Sequence, residues 1–289
     1  MMKKKLIITG PMRSGTTLVA NFLNSVSTFS VYRDFLHVKR VRDAAGVEHI
    51  GESLGPAEKK RAKRKHNRMT SLLPVDNADF FVDSWPWHTV LGYYVNFLSY
   101  LRDGKEVIGH KTTHAGEVLN QLLASVPGLR AIYVVRDPRD VVISAARKWP
   151  HQQRGQTGRV MQRWKVGLNE ALKAKSNHEE RIYLLRFEDL VLRPNSEIDH
   201  LQEFLGVSMS MPEQLVEYGN VWKGNSSFEE VDDLLDTSAV GRWKTKRPWL
   251  KQVEEYCGAL MSELAYNVSE GTSQKVHLWG QEEPPSIQV

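Results

Sequence analysis

The sequence predicts an α/β fold in which a central, mostly parallel sheet is flanked by helices. Three observations predict it. Short apolar runs alternate with longer periodic segments along the chain, the pattern of strands separated by crossover helices. The first apolar run, Leu6-Ile7-Ile8, leads into a loop flanked by Gly10 and Gly15 and then into an apolar-periodic segment, a strand-loop-helix unit suited to anions. The 289 residues are 41% hydrophobic and 25% charged, enough to bury a substantial core, which excludes a disordered or collagen-like chain.

Strands are expected at Lys5 to Thr9, Phe29 to Tyr32, Phe80 to Asp83, Val107 to Lys111, Arg130 to Val135 and Ile182 to Arg186, each a short run of β-branched and aromatic residues. Helices are expected at about Gly15 to Ser25, Gly116 to Ser125, Pro138 to Trp149, Gly158 to Lys175, Asn195 to Leu205 and Lys251 to Leu264. In the Gly158 segment, Met161, Trp164, Leu168, Ala171 and Leu172 recur at spacings of three and four, which places one apolar face toward a core. Pro56, after Gly55, opens a basic helix reaching about Leu73, because proline suits the first helical position. With no repeat and no long linker, residues 1–270 are expected to form one domain and 271–289 a loosely held, polar, Pro-containing tail,.

Charge and cysteine usage narrow the class. The lone cysteine, Cys257, forms no internal disulfide and no thiolate zinc cluster, so a reducing cytoplasm is the expected compartment. The apolar run after Lys3-Lys4-Lys5 is too short for a secretory leader, and Val90 to Leu101 is interrupted by Asn96 and Ser99, so no membrane anchor is expected. The formal charge is +5, and Lys59 to Arg68 carries seven Lys/Arg in ten residues. A run of this kind is commonly a solvated helix face, and it lacks the interleaved aromatics of single-strand binders, so no nucleic-acid partner is expected. The histidines form no His-Glu-x-x-His motif, and no metal is expected.

Two motifs carry chemistry. In Gly10-Pro11-Met12-Arg13-Ser14-Gly15-Thr16-Thr17, backbone N–H groups and the positive end of the following helix converge on a phosphate-like ligand. The Gly10-x-x-x-x-Gly15 spacing is that of a nucleotide-triphosphate loop, but Thr16 stands where that motif has lysine, which argues against phosphoryl transfer. Arg13 is a cation displaced to the other side of Gly15. The second motif, Arg136-Asp137-Pro138-Arg139-Asp140 through Ser144, again follows a strand. Asp137 reads as an N-cap, Pro138 as the first helical residue and Asp140 as an acid facing the helix dipole. That leaves Arg136 and Ser144 as a second phosphate site.

Together these motifs resemble those of the sulfotransferases that use 3'-phosphoadenosine 5'-phosphosulfate (PAPS). Arg13-Ser14-Gly15-Thr16-Thr17 is similar to the 5'-phosphosulfate loop of the Golgi and bacterial branches, and Arg136 with Ser144 matches the two positions of the 3'-phosphate motif. Leu185 to Leu190, followed by Pro194 and Phe204-Leu205-Gly206, and the segment Val240 to Lys244 extend the likeness over about Lys5 to Tyr266. The resemblance implies the nucleotide-kinase-like sulfotransferase fold, with PAPS as sulfuryl donor. It also implies that Phe187 borders adenine in place of the more usual tyrosine, and that Gly241, Arg242, Trp243 and Lys244 form a loop closing over the cofactor. Either Arg242 or Lys244 is then the phosphate contact, and Trp243 is equally readable as a core anchor.

For catalysis the resemblance implies that Lys111 lies near the bridging oxygen and that Arg13 assists at the transferring oxygens. Asp34 is placed like the catalytic glutamate of the tyrosylprotein branch, and His114, in Lys111-Thr112-Thr113-His114, resembles the histidine of the cytosolic branch with one residue inserted. Strand alternation points Lys111 and Thr113 to one side and His114 away unless the chain has turned, so Asp34 is the preferred base, with His37 and Asp83 as outside candidates. The expected acceptor is a hydroxyl or amine of a small metabolite or natural product. A P-loop small-molecule kinase and a catalytically silent nucleotide-binding protein are the alternatives.

Overall fold

The computed structural model describes residues 4–33, 38–61, 89–92, 94–95, 105–148, 153–217, 220–221, 234–244 and 249–267. Asp34, His37 and Asp83, the strand expected at Phe80 to Asp83, the basic run beyond Arg61 and the tail from Gly271 lie outside them.

The chain builds β1 (Lys4–Thr9), α1 (Thr16–Asn24), β2 (Phe29–Arg33), α2 (Val38–Ala45), β3 (Val107–Lys111), α3 (Gly116–Ser125), β4 (Leu129–Val135), α4 (Pro138–Lys148), α5 (Gln153–Asn177), β5 (Ile182–Arg186), α6 (Phe187–Leu192), α7 (Pro194–Leu205) and α8 (Leu250–Glu263). The five strands form one sheet in the order β2-β3-β1-β4-β5, with every neighbouring pair parallel.

Burial on both faces explains the continuous apolar strands. In β1, Leu6 and Ile8 join one core with Val19, Phe22 and Leu23 of α1 and Leu201 of α7. Ile7, pointing the other way, joins a second core with Leu119 of α3, Met161, Trp164, Leu168 and Ala171 of α5 and Val253 of α8. Strand β4 divides likewise, Ile132 and Val134 to the first core and Ala131, Tyr133 and Val135 to the second. Each fully buried side chain of this size stabilises the fold by about 1.5–3 kcal/mol.

Most expected elements appear within a residue or two. Helix α5 starts earlier than expected, at Gln153. The helix expected from Pro56 does begin there and is described through Arg61. Helices α2 and α6 were not expected. Helix α2 buries just Val38, Val41 and Ala45, and α6 is too short to show a helical period. No described helix is long and apolar enough to cross a membrane.

The order of the sheet decides where a ligand can bind. From β1 the chain crosses to β2 and returns through β3 on one side, then continues to β4 and β5 on the other. The crevice therefore opens at the carboxyl end of β1, the switch point of an open α/β sheet.

Candidate functional site

The loop after β1 is shaped by two glycines with different tasks. A Cβ at Gly10 would lie 2.3 Å from the Val134 carbonyl oxygen of the adjoining strand. Gly15 has φ 92°, and a Cβ there would lie 2.3 Å from the Phe187 ring. Arg13 also has positive φ, 70°. The loop turns tightly and delivers the chain into α1 with Ser14 fully buried. The Ser14 hydroxyl has no hydrogen-bond partner among the described residues, an arrangement that costs stability unless a ligand completes it.

The second motif is built into the start of α4. Asp137 caps the helix, accepting from the Arg139 N–H at 2.9 Å. Trp164, buried in α5, donates its indole N–H to the Arg136 carbonyl at 2.9 Å, fixing the backbone of the arginine. The Arg136 side chain is almost wholly buried. Its guanidinium donates to the Arg13 carbonyl at 3.1 Å and to the Ala239 carbonyl, and lies 4.5 Å from the centre of the Phe187 ring. Its Nε is buried without a partner among the described residues. Arg13 Nε donates to Ser144 Oγ at 3.0 Å, so the two motifs touch.

The segment after Leu234 completes the cluster. Arg242 donates to the Ser238 carbonyl at 2.8 Å and to Asp236 at 3.1 Å. Burial lowers the proton affinity of Arg13, and the nearby charges of Arg136 and Arg242 lower it further. The same two causes, burial and then Arg136, act on Arg242. Arg136 is lowered by burial against the partial compensation of Asp140, Glu188 and Asp137. Three arginines near enough to repel one another, with a buried hydroxyl and a buried guanidinium nitrogen left over, are a charge pattern that a multiply charged anion would neutralise.

The third wall is the end of β3. Lys111 is buried and pairs in register with Ile8 on one side and Arg33 on the other. The chain then turns. The Thr112 N–H donates to the Ile8 carbonyl at 2.9 Å and the His114 N–H to the Gly10 carbonyl at 3.1 Å. His114 has φ 63°. The turn removes the objection from strand alternation, since His114 now lies beside the loop.

With this geometry goes a sequence match: the model described as the sulfotransferase family covers residues 5–211. The chain belongs to the sulfotransferase family.

It is therefore an enzyme of sulfuryl transfer, and the kinase and silent-binder alternatives fall away. Solved structures agree on the fold of this sulfotransferase. The sulfotransferase domain from the curacin biosynthetic pathway is 18% identical with a TM-score of 0.60, covering 93% of this chain and 99% of that one. The sulfotransferase domain of the Synechococcus PCC 7002 olefin synthase is 16% identical with a TM-score of 0.59, covering 93% and 96%. Sulfotransferase STF9 from Mycobacterium avium is 13% identical with a TM-score of 0.54, covering 92% and 78%. No curated protein matches the sequence.

Of the residues singled out in the sequence, Arg13, Ser144, Arg136 and Phe187 are linked by the contacts above, and Arg242 is near enough for its charge to act on Arg13. Ser14, Gly15, Thr16 and Thr17 form the junction of the loop and α1, and Gly241, Trp243 and Lys244 flank Arg242. Lys244 is exposed and its stem folds back over Gly241. Trp243 is an anchor: the Arg139 guanidinium lies 3.5 Å from the centre of its ring. Arg139 is itself buried between Asp137 at 2.7 Å and Glu254 of α8 at 2.7 Å.

Two residues acquire functions that the sequence reading missed. Asp140, read as a dipole partner, spends its carboxylate on the backbone of residues 241–243. Glu188 accepts from the Asp137 N–H and from the Tyr266 hydroxyl, each at 2.9 Å, joining α4, α6 and the chain after α8. A buried carboxylate needs such partners, but nothing in local sequence says which distant N–H will provide them.

Proposed function

We propose that this sulfotransferase takes its sulfuryl group from PAPS and delivers it to a hydroxyl or amine of a small-molecule acceptor, releasing 3'-phosphoadenosine 5'-phosphate. One observation carries the reading. Two surfaces suited to anions adjoin at the carboxyl end of the sheet: the loop and first turn of α1, and the cluster of Arg136, Ser144 and Arg242, bridged by Arg13. A nucleotide charged at both its 5' and 3' positions matches that pair; a nucleoside triphosphate, with all its charge at one end, leaves the second surface unanswered.

PAPS, when bound, supplies an activated sulfuryl group on a good leaving group. The residues divide the remaining work. Ser14, Gly15, Thr16 and Thr17 hold the 5' end at the positive terminus of α1. Arg136, Ser144 and Arg242 hold the 3'-phosphate, Arg242 being favoured over the exposed Lys244. Phe187 borders the adenine, its ring fixed between Gly15 and Arg136.

Lys111, desolvated at the end of β3, and Arg13 stabilise charge on the bridging and transferring oxygens, where preorganised cations are most effective. As the acceptor oxygen bonds to sulfur and the bond from sulfur to the leaving oxygen breaks, the acceptor's proton goes to a general base. Asp34 and His114 are the two candidates. The residue before Asp34, Arg33, pairs with Lys111, and His114 is bonded to Gly10, so both lie close in sequence to groups at the site. A reducing cytoplasm fits the lone thiol of Cys257,.

The test is thermal. A ligand that binds only the folded state raises the melting temperature. Titration with 3'-phosphoadenosine 5'-phosphate is expected to raise it by several degrees and ATP by little. A shift with ATP alone, or with neither, overturns the reading.

A further inference from the structure

We propose that Asp140 is a positioning residue: it latches residues 241–243 onto the first turn of α4 and so sets Arg242 at the anion site. The inference rests on the proposed function only for the identity of the anion.

Asp140 is fully buried. Its two oxygens accept from two backbone N–H groups of one short segment, Gly241 at 2.8 Å and Trp243 at 3.0 Å. The residue between those two is Arg242. A bidentate carboxylate grip on the flanking amides fixes the backbone from which the Arg242 side chain departs, leaving Asp236 and Ser238 to steer its tip. The ring of Trp243 is held separately, under Arg139, which is braced by Asp137 and by Glu254 of α8. The segment is thus fastened twice from the α4 terminus, once through its backbone and once through its tryptophan.

Electrostatics makes the assignment discriminating. A carboxylate beside Arg136 partly cancels the cation that the anion site depends on, and burial makes its charge costly, raising its proton affinity. As a bare charge, Asp140 opposes anion binding. As a latch, it promotes binding by ordering Arg242. The two roles predict opposite signs when the charge is removed.

Asp140→Asn preserves shape, turns one oxygen into an N–H donor facing another donor, and removes the charge. Dissociation constants for 3'-phosphoadenosine 5'-phosphate and for 5'-AMP, which lacks the 3'-phosphate, are measured by calorimetry on both proteins. Trypsin cleavage after Arg242 and Lys244 is followed on the nucleotide-free proteins. The latch predicts that the bisphosphate binds about tenfold or more weakly, that 5'-AMP affinity is unchanged, and that cleavage after Arg242 accelerates while distant sites do not. Tighter or unchanged bisphosphate binding overturns it, as does an equal loss for both nucleotides.

If the wild type binds neither nucleotide, the PAPS reading has failed, and the protease arm still decides the latch: unchanged cleavage overturns it. Should Asp140→Asn fail to fold, Trp243→Leu, which releases the other fastening and keeps Asp140, is expected to accelerate the same cleavage and to lower the preference for the bisphosphate over 5'-AMP. No change in either overturns the proposal.

Discussion

Arg13 donates from Nε to the hydroxyl of Ser144 over 3.0 Å, tying the loop after β1 to the second turn of the helix after β4. Because Arg136 in turn donates to the Arg13 carbonyl, a change at either arginine disturbs both motifs. Arg136→Ala is expected to weaken 3'-phosphoadenosine 5'-phosphate by roughly 10- to 100-fold, the scale of a lost charge-assisted contact. Calorimetric titration checks it, and an unaltered affinity removes Arg136 from the site.

Gly15 is constrained twice, by φ 92° and by the Phe187 ring. Gly15→Ala should destabilise the protein by about 1–3 kcal/mol, combining backbone strain with overpacking. Urea unfolding measures the loss. In a Phe187→Leu background the overpacking part should shrink; an equal loss in both backgrounds means that the ring is not what the new methyl meets.

The general base is decided by kinetics. Asp34→Asn is expected to lower kcat by about 100-fold or more while His114→Ala lowers it less, on the usual scale of general-base catalysis. Intact turnover in Asp34→Asn with loss in a folded His114→Ala protein transfers the role to His114.

Glu188 gives a pH signature. Burial raises its carboxyl above the ordinary 4.5, opposed by the Asp137 N–H, the Tyr266 hydroxyl and Arg136. A carboxyl raised on folding contributes stability that is full below its unfolded value and lost as pH rises through its folded value. Glutamine does not titrate, so the melting temperature of Glu188→Gln relative to wild type should climb as pH rises from 4.5. A difference that stays flat with pH contradicts the raised value.

Cys257 should be inert in the folded protein. Desolvation pushes its thiol up to about 12, with Lys165 acting weakly in the other direction, and thiol chemistry requires the exposed thiolate. Labelling with a maleimide at neutral pH is expected to be negligible until denaturant is added. Rapid native labelling would show that α8 opens readily.

The five strands of the parallel sheet and most of its helices were legible because short apolar runs and period-three-four apolar patterns reflect burial on faces that exist in any fold of this class. The loop between Gly10 and Gly15 and the Arg136 to Ser144 motif were legible for another reason. A strand-loop-helix junction is built locally, so the residues that shape it stand close together in the chain. Helix α6 escaped because its six residues span less than two turns. Asp140 does lie in the first turn of α4, but that local chemistry is sufficient for a dipole role and gives no sign of its distant partners at residues 241 and 243.

By itself the sequence determined the parallel α/β sheet, the glycine-flanked loop between β1 and α1, the second arginine-serine motif and the likeness to sulfotransferases. Only the tertiary structure decided that Arg13 bridges those motifs, that Trp243 anchors on Arg139, that His114 turns back to Gly10, and that Asp140 grips residues 241–243. Each of these joins positions distant in the chain, 131 residues apart for Arg13 and Ser144 and 101 for Gly241 and Asp140. Local pattern encodes which groups will seek partners; the strand order, set by burying both faces of the sheet, selects the partners they find.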